Sequence, residues 1–185
     1  MPVPALPPRR IRVVGVSGSG KTHLAARVAA RLRIAHLELD GVFWGSDWTL
    51  RNPEDARNEV REFVGQHPEG WVADGNWATP LDGLLDPPGG ADLVVWLDQP
   101  RWLVMARVLR RTLRRGLTRE ELWHGNRERP ASWFQPDPEK NILLWAWTAY
   151  DRTRDRYLAL VGAPWFLRLE GPREVARWLE SLPRA

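Results

Sequence analysis

Residues 11–22 of the 185-residue chain read IRVVGVSGSGKT. The opening run, Ile11-Arg12-Val13-Val14, has the apolar, β-branched character of a buried strand. It leads straight into Gly15-x-x-x-x-Gly20-Lys21-Thr22, the complete pattern of a phosphate-binding P-loop. The stretch that follows, Thr22 to Leu32 (THLAARVAARL), has helical spacing and good helix formers. Strand, glycine-rich loop and helix, in that order, are the context the pattern requires. Glycines let the backbone curl so that successive amides point inward at phosphate oxygens, and the helix start adds the positive end of its dipole. Gly15, Ser17, Gly18, Ser19, Gly20, Lys21 and Thr22 are therefore the expected nucleotide-binding residues. Lys21 is placed to reach the β- and γ-phosphates, and the Thr22 hydroxyl to ligate Mg²⁺. His23 reads as a solvent-facing helix residue.

Composition sharpens the reading of Lys21. Of the 27 basic residues, only those at 21 and 140 are Lys; the rest are Arg. A phosphate loop needs a compact ammonium on a flexible stem, which a planar guanidinium does not replace. The chain has no cysteine, which excludes disulfides and thiolate metal sites. A 43% hydrophobic content supplies a proper core, and a net charge of +4 suits a protein that handles anions without arguing for nucleic acid. The start, MPVPALPPRR, is Pro-rich and lacks the apolar stretch of a signal peptide. No apolar run approaches the roughly 20 residues of a membrane span. The expectation is a cytoplasmic protein with a flexible tail at 1–9 and a single domain at 10–185.

Strands are expected at 11–16, 34–40, 70–74, 92–98 and 164–169. Helices are expected at 22–32, 53–67 (Asn52 as cap, Pro53 first), 100–115, 137–161 and 172–182, with an irregular polar stretch at 116–136. Strands alternating with helices predict an α/β fold with a parallel sheet covered on both faces. A P-loop alone does not separate ATPase, GTPase, kinase and motor. No N-K-x-D base-reading motif is present, and the chain is small for a motor, which leaves a compact kinase as the leading reading.

In open parallel sheets, ligands sit beyond the carboxyl ends of the strands. Asp40, Asp74 and Asp98 fall at such ends. Asp74, in WVADGNW, is placed as a Walker-B-like acid near Mg²⁺. Asp40, in HLELDGVFW, points at the same crevice, where an acid binds an acceptor hydroxyl, holds water on Mg²⁺ or accepts a proton. Asp98 reads mainly as a cap for the next helix. From Arg101 to Arg129 there are nine Arg and three acids. Arg107, Arg111 and Arg114 share one helical face, as do Arg111 and Arg115. Guanidiniums suit phosphoryl oxygens, and a basic segment that closes over them excludes water. Arg111 and Arg127 are thus candidates for the transferring group. Trp96, Trp145, Trp147, Trp165 and Trp178 fall in apolar periodic segments, which makes core their default. Trp44, Trp48 and Trp77 lie just past the strand-end acids, as ring stackers or loop anchors.

Together these residues resemble the adenylate-kinase-like P-loop kinases over nearly the whole chain after the tail. Asp74-Gly75-Asn76 is similar to the Asp-Gly-Phe-Pro-Arg segment of adenylate kinases, but Asn76-Trp77 replaces the rest and the monophosphate-gripping Arg is absent. Asp98-Gln99-Pro100 with Arg107 and Arg111 resembles the pattern leading into their lid, and implies Arg107 near adenine and Arg111 near the transferring phosphate. The zinc-type lid of some members cannot form without cysteine. A closer resemblance is to the small bacterial proteins called DNA topology modulation proteins. It rests on Gly15 to Thr22, on His36 to Trp44 (with Glu38 among the apolar residues), on Asp74 to Trp77, and on Pro100-Arg101-Trp102. The resemblance implies a five-stranded sheet in the order 2-3-1-4-5 with a small lid at about 116–136. It implies ATP- and Mg²⁺-dependent phosphoryl transfer to a small acceptor, in the manner of a nucleoside monophosphate kinase. Lys21, Arg111, Asp40 and Arg127 are the catalytic candidates. Thr22 and Asp74 are the metal candidates, Arg107 joins the P-loop on the nucleotide, and Asp40, Trp44, Asp74, Asn76 and Trp77 line the acceptor side. The competing class is a nucleotide-gated protein that binds nucleic acid or a protein partner.

Overall fold

The computed structural model describes residues 8–128, 133, 135–137 and 141–184. Residues 1–7 of the Pro-rich tail, and Arg129 with much of the stretch after it, lie outside the described residues. Arg9, the last residue of the tail, is tied to the sheet: its carbonyl accepts from Trp71 N at 2.8 Å and its amide donates to Asp92 Oδ2 at 3.1 Å.

The strands are β1 (Arg10–Val14), β2 (Ala35–Glu38), β3 (Trp71–Asp74), β4 (Leu93–Asp98) and β5 (Phe166–Glu170). They form one sheet in the order β2-β3-β1-β4-β5, every pair parallel. The helices are α1 (Lys21–Leu32), α2 (Leu39–Phe43), α3 (Pro53–Gln66), α4 (Ala78–Leu81), α5 (Arg101–Thr118), α6 (Ile142–Leu158) and α7 (Gly171–Ser181). Two-residue alternation divides the strands between the layers. Ile11 and Val13 of β1, Val72 of β3, and Val95 and Leu97 of β4 pack on Leu24, Ala25, Val28 and Leu32 of α1 and Leu179 of α7. Val14, Val94 and Trp96 face the other way, onto Tyr157 of α6 and Phe166. Trp71 and Ala73 meet Ala56 and Val60 of α3. Each fully buried Leu, Ile or Val of this kind stabilises by about 1.5–3 kcal/mol.

Local chemistry sets the ends. Asn52 Oδ1 accepts from Glu54 N at 2.8 Å, and Pro53 opens α3, as its sequence predicts. Several boundaries differ. β2 stops at Glu38, and Leu39 begins a helix, so Asp40 lies in the first turn of α2 and not on the strand. Gly116 does not end α5; the helix runs on to Thr118, and Arg119 takes the left-handed conformation at φ 50°. Asp98 caps nothing: it pairs with Arg168 at 2.5 Å and Arg154 at 3.3 Å, and α5 starts after Pro100 without a side-chain cap. Trp96 is buried, but Trp145 and Trp147 of α6 are 40% and 51% exposed. The guanidinium of Arg101 lies 4.8 Å from the Trp147 ring and 4.5 Å from that of Tyr150. Among the described residues, no helix is long and apolar enough to cross a membrane.

Candidate phosphate-loop site

The loop Gly15–Gly20 connects β1 to α1 at the carboxyl edge of the sheet, between β3 and β4. Its shape depends on glycine. Gly18 has φ +84°, and a Cβ there would stand 2.4 Å from Val108 Cγ2 and 2.9 Å from the Val104 carbonyl. The loop thus lies directly on α5, with only glycine fitting the gap. Gly20, at φ +101°, turns the chain into α1. Behind the loop, Asn76 clamps its first glycine: Gly15 N donates to Asn76 Oδ1 at 3.1 Å and Asn76 Nδ2 donates to Gly15 O at 2.7 Å. The Tyr157 hydroxyl donates to the same Oδ1 at 3.1 Å. Asn76, expected on the acceptor side, has its amide committed to the loop.

The charged groups converge from four elements. Lys21 folds back over the loop, donating from Nζ to Val16 O at 3.2 Å. Burial pulls its ammonium below the usual lysine value; Asp40 and Asp74 oppose that shift and Arg111 adds to it. Thr22 Oγ1 donates to Asp74 Oδ2 at 2.7 Å. The other oxygen of Asp74 lies 2.8 Å from His36 Nε2, on β2. A carboxylate only accepts, so Nε2 carries the proton. From α5, Arg107 donates to Ser19 O at 2.9 Å and Arg111 to Ser17 Oγ at 3.2 Å. Arg114, on the face expected to join them, turns out to solvent and pairs with Glu120 at 2.7 Å. His23 is exposed, as expected.

On the far side of Lys21 stand the acids of β2 and α2. Asp40 acts on both Lys21 and Arg111, and its Oδ1 accepts from Trp77 Nε1 at 2.7 Å. Phe43 stacks on Trp77 with ring centres 4.7 Å apart, and Trp44 meets Trp77 edge-on at 5.5 Å. Glu38, register partner of Asp74, accepts from Trp123 Nε1 at 3.2 Å. Burial, then the Asp74 charge, push the Glu38 carboxyl above its usual value. The segment after α5 folds over this wall. The His124 ring donates to Gly41 O at 2.8 Å, and Asn126 bridges Trp48 N at 3.0 Å and Gly45 O at 2.8 Å. Arg127 is brought to the edge of the wall but not to the loop; it is 53% exposed and pairs with Glu121 at 3.0 Å.

Glu38, His36, Trp123 and Asn126 are members of the site that motif reading did not single out as site residues. His36 stood within the quoted His36–Trp44 stretch, but its contact with Asp74 crosses strands and has no local signature.

A polyphosphate fits this loop. Ser19 Oγ, in the loop, and Arg111 Nε, of the guanidinium that reaches Ser17, are buried without a hydrogen-bond partner, donors that phosphate oxygens could satisfy. Among the described residues no set of three or more His, Cys, Asp or Glu forms a metal-holding group. The oxygens of Thr22 and Asp74, 2.7 Å apart, are ones that could serve a Mg²⁺ that rides on phosphates and takes only one or two protein oxygens.

The comparisons agree with the architecture. No family model matches the chain. An uncharacterized Bacillus subtilis (strain 168) protein, YqaC, is 27% identical over 146 residues, 77% of this chain and 73% of that protein. Among solved structures, a shikimate kinase from Bacteroides thetaiotaomicron superposes with a TM-score of 0.54 at 16% identity, covering 94% of this chain and 96% of that one. A sugar kinase from Janibacter sp. HTCC2649, in unliganded form, gives 0.52 at 20% identity, covering 94% of each chain. The fold is that of the P-loop kinases.

Proposed function

We propose that this chain transfers the γ-phosphoryl group of ATP, bound with Mg²⁺, to a hydroxyl of a small acceptor. The observation that carries the reading is convergence: Lys21, Thr22 with Asp74, Arg111 and Asp40 come from four elements onto one phosphate loop. Mg²⁺ held by Thr22 and Asp74, directly or through water, would neutralise phosphate charge. Lys21 and the loop amides hold the β- and γ-phosphates. Arg111 stabilises charge on the transferring group, and Arg107 flanks the nucleotide. Asp40 receives the acceptor hydroxyl and takes its proton as the bond to phosphorus forms. The role for Arg127 at the phosphates requires its pair with Glu121 to open, as part of a lid formed by about 116–136.

The two kinases that share the fold act on a sugar and on shikimate by their names, which supports a small hydroxyl acceptor. Three of the four stretches that resemble the DNA topology modulation group, Gly15–Thr22, His36–Trp44 and Asp74–Trp77, meet in this crevice and support counting the chain with them as a kinase; the fourth stands apart, with Arg101 on Trp147 and Asp151 and Trp102 exposed. The nucleic-acid reading draws little support: Arg107, Arg111 and Arg115 turn to the loop or to Glu128, and Leu109, Leu113 and Leu117 are exposed on α5.

The test is ADP release from ATP·Mg²⁺ with a panel of acceptors. Lys21→Ala should abolish it; full activity in that variant sinks the assignment. Arg111→Ala should lower kcat by about 100-fold with nucleotide affinity little changed. Equal losses in both would make Arg111 a ground-state binder.

A further inference from the structure

We infer that the phosphate acceptor is an alcohol that carries no phosphate or carboxylate group, selected by the carboxylates of Glu38 and Asp40. The inference rests on the kinase reading and names the substrate class of that same site.

An acceptor hydroxyl has to approach from the β2–α2 side of the P-loop, since α5 covers the other side at Gly18. Three carboxylates converge there. Glu38 ends β2 beside its register partner Asp74, and Asp40 opens α2 within electrostatic reach of Glu38, Lys21 and Arg111. The cations that face them are those the triphosphate needs, Lys21 and Arg111. Arg51, Arg57, Arg115, Arg127, His36 and His124 of the surrounding elements are engaged elsewhere. Arg51 donates to Val42 O at 2.8 Å and to Glu59 at 2.7 Å. Arg57 is held by Glu54 and Pro80 O, and Arg115 by Glu120 and Glu128. Arg127 is on Glu121, His36 on Asp74 and His124 on Gly41 O.

The donors that do reach Glu38 and Asp40 are the uncharged indoles of Trp123 and Trp77. Each fixes a carboxylate without neutralising it, and leaves lone pairs free to accept. Such a wall binds hydroxyl or ammonium hydrogens. It repels a second phosphate or a carboxylate, which would meet two like charges and, among the described residues, no guanidinium turned to this wall other than Arg111. Asn76, one residue past Asp74-Gly75, brings no charge to the acceptor side, and its amide is held on Gly15.

The experiment has two arms. The first measures ADP release with matched acceptors that differ in one group: adenosine against AMP; glucose and glucosamine against glucose 6-phosphate; glycerol and 2-amino-1,3-propanediol against glycerate. The best acceptor should be neutral or amine-bearing, and should exceed its anionic counterpart in kcat/KM by about 100-fold, the scale of one unmatched ionic contact. In Glu38→Gln that ratio should shrink. The second arm measures binding of diadenosine pentaphosphate, which spans a nucleotide site and a monophosphate site, against binding of ATP. Affinities within about threefold are expected, because the second nucleotide end gains no partner. An anionic acceptor turned over best, or diadenosine pentaphosphate bound about 100-fold more tightly than ATP, would overturn the inference. Should no panel member be phosphorylated, the binding arm decides. Failure of the kinase reading looks different: ATP·Mg²⁺ would not bind, or Lys21→Ala would change nothing.

Discussion

Asp74 is 4% exposed and engaged at both oxygens, by Thr22 at 2.7 Å and by His36 at 2.8 Å. In the proposed reaction Asp74, beside Thr22, is the acid that would hold the phosphate-bound cation, and the His36 contact fixes the plane of its carboxylate. The hydrogen bond of His36 goes to Asp74, with Glu38 in electrostatic reach, and its part at the phosphates would run through Asp74, so it is a positioning residue. Replacing it with Phe removes the donor, whereas Gln keeps an N–H. His36→Phe should raise the Mg²⁺ concentration for half-maximal turnover by about 10-fold, with kcat at saturating Mg²⁺ little changed and Gln largely restoring the wild-type requirement. A titration of initial rate against Mg²⁺ reads this directly; an unaltered requirement in the Phe variant would leave His36 a strand residue only. Lys21 gives a prediction in pH. Burial lowers its value in the free protein, and phosphates raise it on binding. While Lys21 is charged in both states, ATP affinity is independent of pH. Above the free-protein value, binding has to add a proton, and affinity falls by up to about tenfold per pH unit. The fall should therefore begin below the ordinary lysine value of about 10.4. Calorimetry at rising pH measures both the affinity and the proton taken up. Constant affinity up to that value would contradict the buried, phosphate-facing lysine.

Among the elements, the contact of the P-loop with α5 carries the most consequence. At Gly18 a methyl group would meet Val108 Cγ2 at 2.4 Å and the Val104 carbonyl at 2.9 Å, with φ at +84°. A left-handed alanine costs about 1–2 kcal/mol and overpacking a rigid contact about 1–3 kcal/mol. Gly18→Ala should thus lower the denaturant midpoint by an amount worth about 2–5 kcal/mol, and weaken ATP binding as the loop lifts. A midpoint within error of wild type would mean that α5 moves easily, and that the loop is not braced by it. The loop was legible in the sequence because its glycines, Lys21 and Thr22 are consecutive, and the sheet because each strand is a local apolar run. What escaped notice was set by distant packing. α2 is five residues long and has no side-chain cap; it exists because Leu39, Val42 and Phe43 are buried at 0%, 3% and 2% exposure. Gly116 sits within α5 since Val108 and Thr112 are buried before it and Arg115, the residue next to it, is tied to Glu120 and Glu128 beyond the helix. The periodicity of α6 suggested buried Trp145 and Trp147, yet Ala146, Ala149 and Tyr150 supply its buried face.

At the scale of the whole molecule, the segment after α5 and the loop after α2 are joined across the acceptor side. Two short turns, Ser46–Trp48 and Trp123–Gly125, face each other, each with two successive residues at positive φ: Asp47 at 53° and Trp48 at 56°, His124 at 57° and Gly125 at 77°. Asn126 links them. It is 4% exposed, accepts from Trp48 N at 3.0 Å and donates to Gly45 O at 2.8 Å. Trp48 Nε1 adds a bond to Arg127 O at 3.3 Å, and Trp123 reaches Glu38. One amide thus takes a backbone donor and a backbone acceptor of the first turn while belonging to the second. Removing it deprives both of that partner, at a cost of about 1–3 kcal/mol. Asn126 itself bonds to no residue of the sheet or of its two helical layers, so the cost should appear as local opening. In Asn126→Ala, amide hydrogen exchange should accelerate by about 10- to 100-fold around 45–48 and 121–127, while the amides of β1, β3 and β4 keep their protection. Turnover should respond in the same sense: with the segment loosened, water enters the site, and ATP hydrolysis without acceptor rises relative to transfer. Acceleration spread evenly over the sheet would make Asn126 a determinant of global stability. Exchange unchanged in the two turns would place their connection in the Trp123 and His124 contacts alone, and with it the closure of the site.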